Sequence, residues 1–228
     1  MKIKESDTCY ICGKKACSSE HAPAKSFFPE GKRNNLIQVP SCSEHNEGTS
    51  KDDEYVRFII SAHFRNNTVG EGQSIDKSIK TLKRSPALAA ALSENKIPAT
   101  IINNDNSETS SLALMIDRER FDKDICKNAY AVFFHKYHRR WNRELSVFTY
   151  ELFDSCGKPD CKGQFVLGAR RALQSVGIQF CFEGGNPEVF KYAFVGLGEI
   201  DDNILVMVFY EGFEVWVFPM MGTIGPKL

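Results

Sequence analysis

Two closely spaced residue pairs constrain this chain more than anything else in it. Cys9 and Cys12 are separated by two residues, and so are Cys42 and His45. A structural zinc ion takes four tetrahedral Cys or His ligands, which usually arrive as two such pairs. The polar segment they bracket has too few apolar residues to hold itself by burial, so a metal helps it fold. Gly13, directly after the first pair, suits the tight turn of a metal knuckle because glycine tolerates positive φ. Cys17 stands nearby as an alternative ligand.

The chain has 8 cysteines, and their context decides between metal and disulfide chemistry. The N-terminus MKIKESDTCY is polar and lacks the apolar core of a signal peptide. A reducing, cytoplasmic setting follows, where clustered Cys pairs read as metal ligands. No apolar run approaches the roughly 20 residues of a membrane helix, so no membrane association is expected.

Taken in order, the chain reads as α+β. Residues 16–29 fit at most short strands. Leu36 to Val39 is a strand candidate that stops at Pro40, and residues 43–64 read as a helix with an apolar second half. Residues 66–75 read as a turn and 76–96 as helical with a break at Pro86. Residues 103–111 are the most polar stretch and read as a loop. The longest helix is expected over 117–141, from Phe121, Ile125, Ala129, Val132, Phe133 and Tyr137 at helical spacing. A strand at 147–153 and a helix at 164–176 follow. Three β-type runs at 189–195, 204–210 and 213–218 then predict a C-terminal antiparallel sheet. The expected division is a small zinc-bound module, 1–54, and an accessory region, 55–228.

Between the metal pairs lie residues with catalytic chemistry. Glu20-His21 puts a hard oxygen ligand beside a base of reference pKa about 6.5. Asn34-Asn35 supplies amides that can orient a histidine, Asn35 being preferred because it directly precedes the strand; Asn46 offers a further oxygen. Singly these are weak signals. Asp52, Asp53 and Glu54 read first as a charged first helical turn, with an added metal role as the alternative.

In this order the residues resemble the zinc-containing HNH nucleases of the ββα-metal fold, over residues 9–54. The resemblance implies an endonuclease that hydrolyses phosphodiester bonds of DNA, with RNA as the alternative substrate. It implies His21 as general base, Asn35 as its orienting residue, and Glu20 and Asn46 as ligands of a catalytic Mg²⁺ or other divalent cation. Cys9, Cys12, Cys42 and His45 would bind structural zinc. If His45 instead holds the catalytic cation, Cys17 completes the zinc site. Families of this kind suggest phage defence or restriction, with residues 55–228 selecting substrate, binding a protein partner or forming a homo-oligomer. The alternative is a non-catalytic zinc-binding module that recognises nucleic acid or a partner protein.

Charge adds one further candidate. The formal net charge is zero, which argues against a general polyanion binder. Positive residues nevertheless concentrate between Arg118 and Arg143, and the chain from Glu183 onward is acidic. Lys136, Arg139 and Arg140, among aromatic residues, form a candidate nucleic-acid surface. The competing reading is the solvated face of an amphipathic helix. Cys156 and Cys161 read as an ordinary loop, and no glycine cluster has the context of a phosphate loop.

Overall fold

A computed structural model describes residues 4, 7–46, 50–74, 79–84, 86, 89–90, 94, 96–102, 105–152, 161–196, 198–223 and 225–226. After the first cysteine pair the chain forms an antiparallel ribbon of β1 (Ser18–His21) and β2 (Gln38–Ser41). Ser18 lies opposite Ser41, and His21 opposite Gln38. β2 continues through Pro40, where a stop was expected. In a two-stranded ribbon both strands are edges, and an edge tolerates proline. Two helices follow, α1 (Ser43–Asn46) and α2 (Ser50–Ser61). Asp52 and Asp53 sit in the first turn of α2, where the helix dipole favours them. Its second half buries Tyr55, Val56, Phe58, Ile59 and Ile60.

The expected turn at 66–75 is instead a short helix, α3 (Thr68–Gln73). Asn67 starts it by accepting a hydrogen bond from the Gly70 amide at 3.1 Å, a cap that composition alone does not reveal. Gly70 is there because a Cβ would come within 2.8 Å of Asn66 and Tyr210. The expected helix over 76–96 is realised at α4 (Ile79–Arg84) but gives way to a strand at Lys96. Ser85, Leu88, Ala91 and Leu92 of that expectation lie outside the described residues. β3 (Lys96–Ile102) pairs with β4 (Glu108–Leu114). The β-branched Ile97, Thr100, Ile101 and Ile102 favour the extended chain over a helix. The polar turn between the strands is held by Asp105, which accepts from the Ser107 amide at 2.9 Å.

α5 (Arg118–Tyr137) is the long helix expected from the spacing. Asp117 caps it by accepting from the Arg120 amide, and His138 ends it at φ 55°. Beyond it come β5 (Leu145–Phe148), α6 (Cys161–Ser175), β6 (Glu183–Asn186), β7 (Phe190–Val195), β8 (Ile204–Phe209) and β9 (Phe213–Pro219). The five strands make one antiparallel sheet in the order β5-β9-β8-β7-β6. β6 was not expected, and Cys156 lies outside the described residues.

β8 is buried at every position because both faces of the sheet are covered. Leu205, Met207 and Phe209 join the core shared with α5, while Ile204, Val206 and Val208 pack with Val166 of α6. The α5-side core also takes in Cys9, Tyr10, Phe27, Val39 and Ile60 from the first part of the chain. Phe27 meets Phe209 at 5.6 Å between ring centroids, and the buried Tyr210 hydroxyl donates to the Phe27 carbonyl at 2.7 Å. The fold is thus α+β, with the β1–β2 ribbon seated on α5 and the sheet.

Candidate metal centre and the ribbon beside it

The first cysteine pair sits on a turn closed by backbone bonds. The Cys9 amide donates to Lys14 O at 2.7 Å, and the Gly13 amide to Cys9 O at 3.0 Å. Gly13 takes φ 74°, and a Cβ there would meet the Arg140 guanidinium at 3.0 Å. The turn docks on the ribbon through Tyr10 N to Pro40 O at 3.0 Å. Pro40 is two residues before Cys42, so the second pair begins beside the first. One turn of α1 then returns His45, whose amide donates to Cys42 O at 3.2 Å.

Cys9, Cys12, Cys42 and His45 converge, with all four ligand atoms within 4.8 Å of one another. Four ligands at about 2.3 Å from a tetrahedral ion are separated from one another by about 3.8 Å. Cys12 Sγ lies 3.8 Å from Cys42 Sγ, and Cys9 Sγ 3.7 Å from His45 Nδ1. Cys42 Sγ to His45 Nδ1 is closer, 3.2 Å. A donor set of three sulfurs and one imidazole at these spacings suits zinc. Burial works to raise the Cys9 thiol, but the amides of Cys12, Cys42 and Ile11 hold it below its ordinary value. Burial, with Cys9 and Cys42 as neighbours, pushes Cys12 up to about 11. Burial also lowers His45, which leaves its imidazole neutral and able to ligate. Cys17 is exposed and outside this group. Among the described residues this is the one group of Cys, His, Asp and Glu whose ligand atoms converge on a metal position.

Glu20 and His21 are neighbours in sequence, but strand alternation sends them to opposite faces of β1. Glu20 faces inward and is buried. Tyr10 Oη donates to its Oε2 at 2.9 Å, and Lys127 of α5 stands 3.1 Å from its Oε1. The same Lys127 ammonium reaches Asp53 at 2.6 Å and Asp124 at 3.2 Å. Three carboxylates therefore surround one buried ammonium. Burial raises Glu20 above the usual carboxylate range against the pull of Lys127, and raises Asp124 in the same way. Burial opposes the charge on Lys127, but Asp124, Glu20 and Asp53 outweigh it and hold the ammonium above its ordinary pKa.

His21 faces outward and is half-buried. Its Nε2 lies 2.7 Å from Nε2 of Gln38, the residue opposite it in the ribbon. Burial, aided by the charge of Lys25, lowers its pKa, so the ring is neutral at pH 7. Asn35 is exposed at φ 53° in the turn before β2, against β6. A Cβ on Gly185 would come 2.8 Å from its carbonyl oxygen, and Asn186 donates to Asn34 O at 2.8 Å. The side chain beside His21 is thus Gln38, while Asn34-Asn35 joins the ribbon to the sheet. Asn46 ties α1 to β1 by donating to Ser18 Oγ at 2.8 Å, on the Glu20 face.

The candidate nucleic-acid residues are distributed differently. Lys136 is ion-paired with Glu183, and Arg139 with Asp201 at 2.9 Å. Arg140 is exposed over the metal turn at Gly13. Much of the basic stretch 118–143 therefore pairs internally, with Arg143 on Asp202 at 3.0 Å and Arg120 on Asp52 at 2.5 Å as further cases. The acidic bias from Glu183 onward was the sequence signal for the pairs with Glu183, Asp201 and Asp202. Gln38 and Lys127 were missed as members of the site. Gln38 lay within the strand candidate, and its partner could be read only from the ribbon register. Lys127 looked like one more cation on a helix, because its burial depends on what packs over α5. No helix among the described residues is long and apolar enough to cross a membrane. In comparisons with known proteins, no family model, no curated protein and no solved structure matches the chain.

Proposed function

We propose that the chain is an HNH-type endonuclease that hydrolyses DNA phosphodiester bonds, with a structural zinc at Cys9, Cys12, Cys42 and His45. The observation that carries this reading is the Cys3His group closing the base of a ribbon whose first strand ends on a neutral, outward-facing His21. His21 takes the proton of the attacking water. For that role one ring nitrogen must keep a free lone pair while the other is held. In the structure Gln38 Nε2 faces His21 Nε2 and donates to it, which puts the ring proton on Nδ1. Turning the amide over presents its oxygen instead, so that His21 Nε2–H donates to it and Nδ1 is left basic. Gln38 then supplies the orientation first assigned to Asn35.

Glu20 and Asn46 are the residues that would hold the Mg²⁺ of the family resemblance. Such an ion, when bound, neutralises charge on the phosphate. The Glu20 side of that site fits a dication poorly, because the Lys127 ammonium already stands at its carboxylate and Tyr10 takes the other oxygen. An entering cation has to displace the ammonium. That same ion pair favours the second reading, a non-catalytic zinc module.

Plasmid nicking separates the two. Wild-type protein is expected to nick in Mg²⁺ or Mn²⁺, and His21→Ala to lose nicking with its zinc content intact. His21→Ala that cuts as well as wild type removes His21 from the mechanism. A wild-type protein that holds zinc and binds DNA without cutting in either metal supports the binding module.

A further inference from the structure

Among the described residues, the strands of the β3–β4 ribbon form a ladder only with each other, separate from the other two sheets. A two-stranded ribbon is marginally stable alone and gains stability from a third strand or a covering element. This one leaves Ile97, Ile102 and Leu112 exposed, at 45 to 71% of their surface. Its two edges differ. β3 carries Lys96 and Pro98, the kinds of residue that protect an edge from pairing. From Thr109 to Leu114 the β4 strand carries neither a charge nor a proline.

The geometry points to β4 as a dimerisation edge that pairs antiparallel with β4 of a second copy of this chain. The product is a four-stranded sheet in the order β3-β4-β4-β3, closed by a two-fold axis. With the axis at Ser111, the midpoint of β4, Ser111 faces its own copy. Ser110 then meets Leu112, Thr109 meets Ala113 and Glu108 meets Leu114. The single charge of β4 lies at its end. In this register the two Glu108 carboxylates sit at opposite ends of the interface, about 20 Å apart at about 3.4 Å per residue. That exceeds a Debye length of about 8 Å, so self-pairing costs little repulsion. A nucleic acid is the poorer occupant. Between Lys96 and Leu114 the ribbon carries one cation, Lys96, against Asp105 and Glu108, which repels phosphate. This inference stands apart from the nuclease reading.

Light scattering and sedimentation of the full zinc-loaded chain over a concentration series test it. Wild type is expected to show a monomer–dimer equilibrium. Ser111→Lys and Ser111→Glu, each placing like charges together at the axis, are expected to be monomeric with unchanged circular dichroism and zinc content. An equimolar mixture of the two is expected to restore the dimer. Thr100→Lys, on β3, is expected to dimerise like wild type. The proposal is overturned by a monomeric wild type, by dimeric single variants, by a mixture that stays monomeric, or by a Thr100→Lys protein that loses the dimer. A monomeric wild type whose duplex binding weakens in Ser111→Glu assigns the ribbon to nucleic acid instead.

Discussion

Lys127→Met is the most informative single perturbation of this fold. The methionine keeps most of the stem's volume and deletes the charge that Glu20, Asp53 and Asp124 share. Removing one partner of a buried ion pair costs about 3–5 kcal/mol, because the remaining charge is stranded. Here the cost depends on pH. Glu20 and Asp124 already bind protons more tightly in the folded chain than when free, and loss of the ammonium tightens them further. A carboxyl whose folded pKa exceeds its unfolded value binds more protons in the native state, so stability falls as pH rises above the unfolded value of about 4. The variant's deficit is therefore expected to be full, about 3–5 kcal/mol, at pH 8 and to shrink toward pH 5 as the stranded carboxyls protonate. Trp141 and Trp216 are both fully buried, so urea unfolding can be followed by tryptophan fluorescence at each pH. A deficit under about 1 kcal/mol at pH 8 would refute the hub as a stabilising element. A deficit that grows on acidification would refute the protonation argument.

Other expectations follow from single contacts. Cys42→Ser removes one of the four converging ligands, so bound zinc, measured by elemental analysis, is expected to fall well below one per chain, with a lower melting temperature. Since burial depresses His21, the acid limb of the proposed nicking activity is expected to have its midpoint below the ordinary histidine value of about 6.5. Activity is lost as pH falls through that midpoint, and a midpoint above the ordinary value contradicts the placement of His21. Gln38→Ala is expected to lower the nicking rate while zinc content stays unchanged, whereas Asn35→Ala is expected to leave the rate close to wild type. Gly70→Ala forces a Cβ against Tyr210 and is expected to cost about 1–3 kcal/mol in urea unfolding.

The metal group was legible in the sequence because ligand spacing is a local property. Cys9 and Cys12 share one turn, Cys42 and His45 share another, and a tetrahedral ion needs only those two turns to meet. The long helix and three of the sheet strands were legible for the same reason, since period 3.6 and continuous apolar runs are written locally. Less local features escaped. β6 reads Glu-Gly-Gly-Asn and has no strand propensity; it is a strand because Glu183 and Asn186 pair with β7. The α3 helix depends on a cap at Asn67 and on close approach at Gly70 to a tyrosine more than a hundred residues away.

The dipeptide Glu20-His21 shows what adjacency in sequence conceals. In a strand two neighbours cannot face the same side, so one extended residue separates a buried carboxylate from a half-buried imidazole. The inward residue inherits whatever packs over the ribbon, and here that is α5 with Lys127 aimed at Glu20. The outward residue inherits its strand neighbour across the ladder, Gln38. Glu20 thus joins the ribbon to the core from the inside, and a metal on the Cys3His group would clamp its base. Neither tie uses His21. A substitution at His21 can therefore remove a proposed base and leave the scaffold standing. A substitution at Glu20 cannot be read as catalytic without a stability measurement beside it. Pairing Glu20→Gln with Lys127→Met resolves that. If Glu20 acts mainly through the ammonium, the two losses in urea stability are expected to be strongly non-additive, with a coupling of about 0.5–3 kcal/mol. Additive losses would instead free Glu20 from Lys127 and restore its claim on a cation.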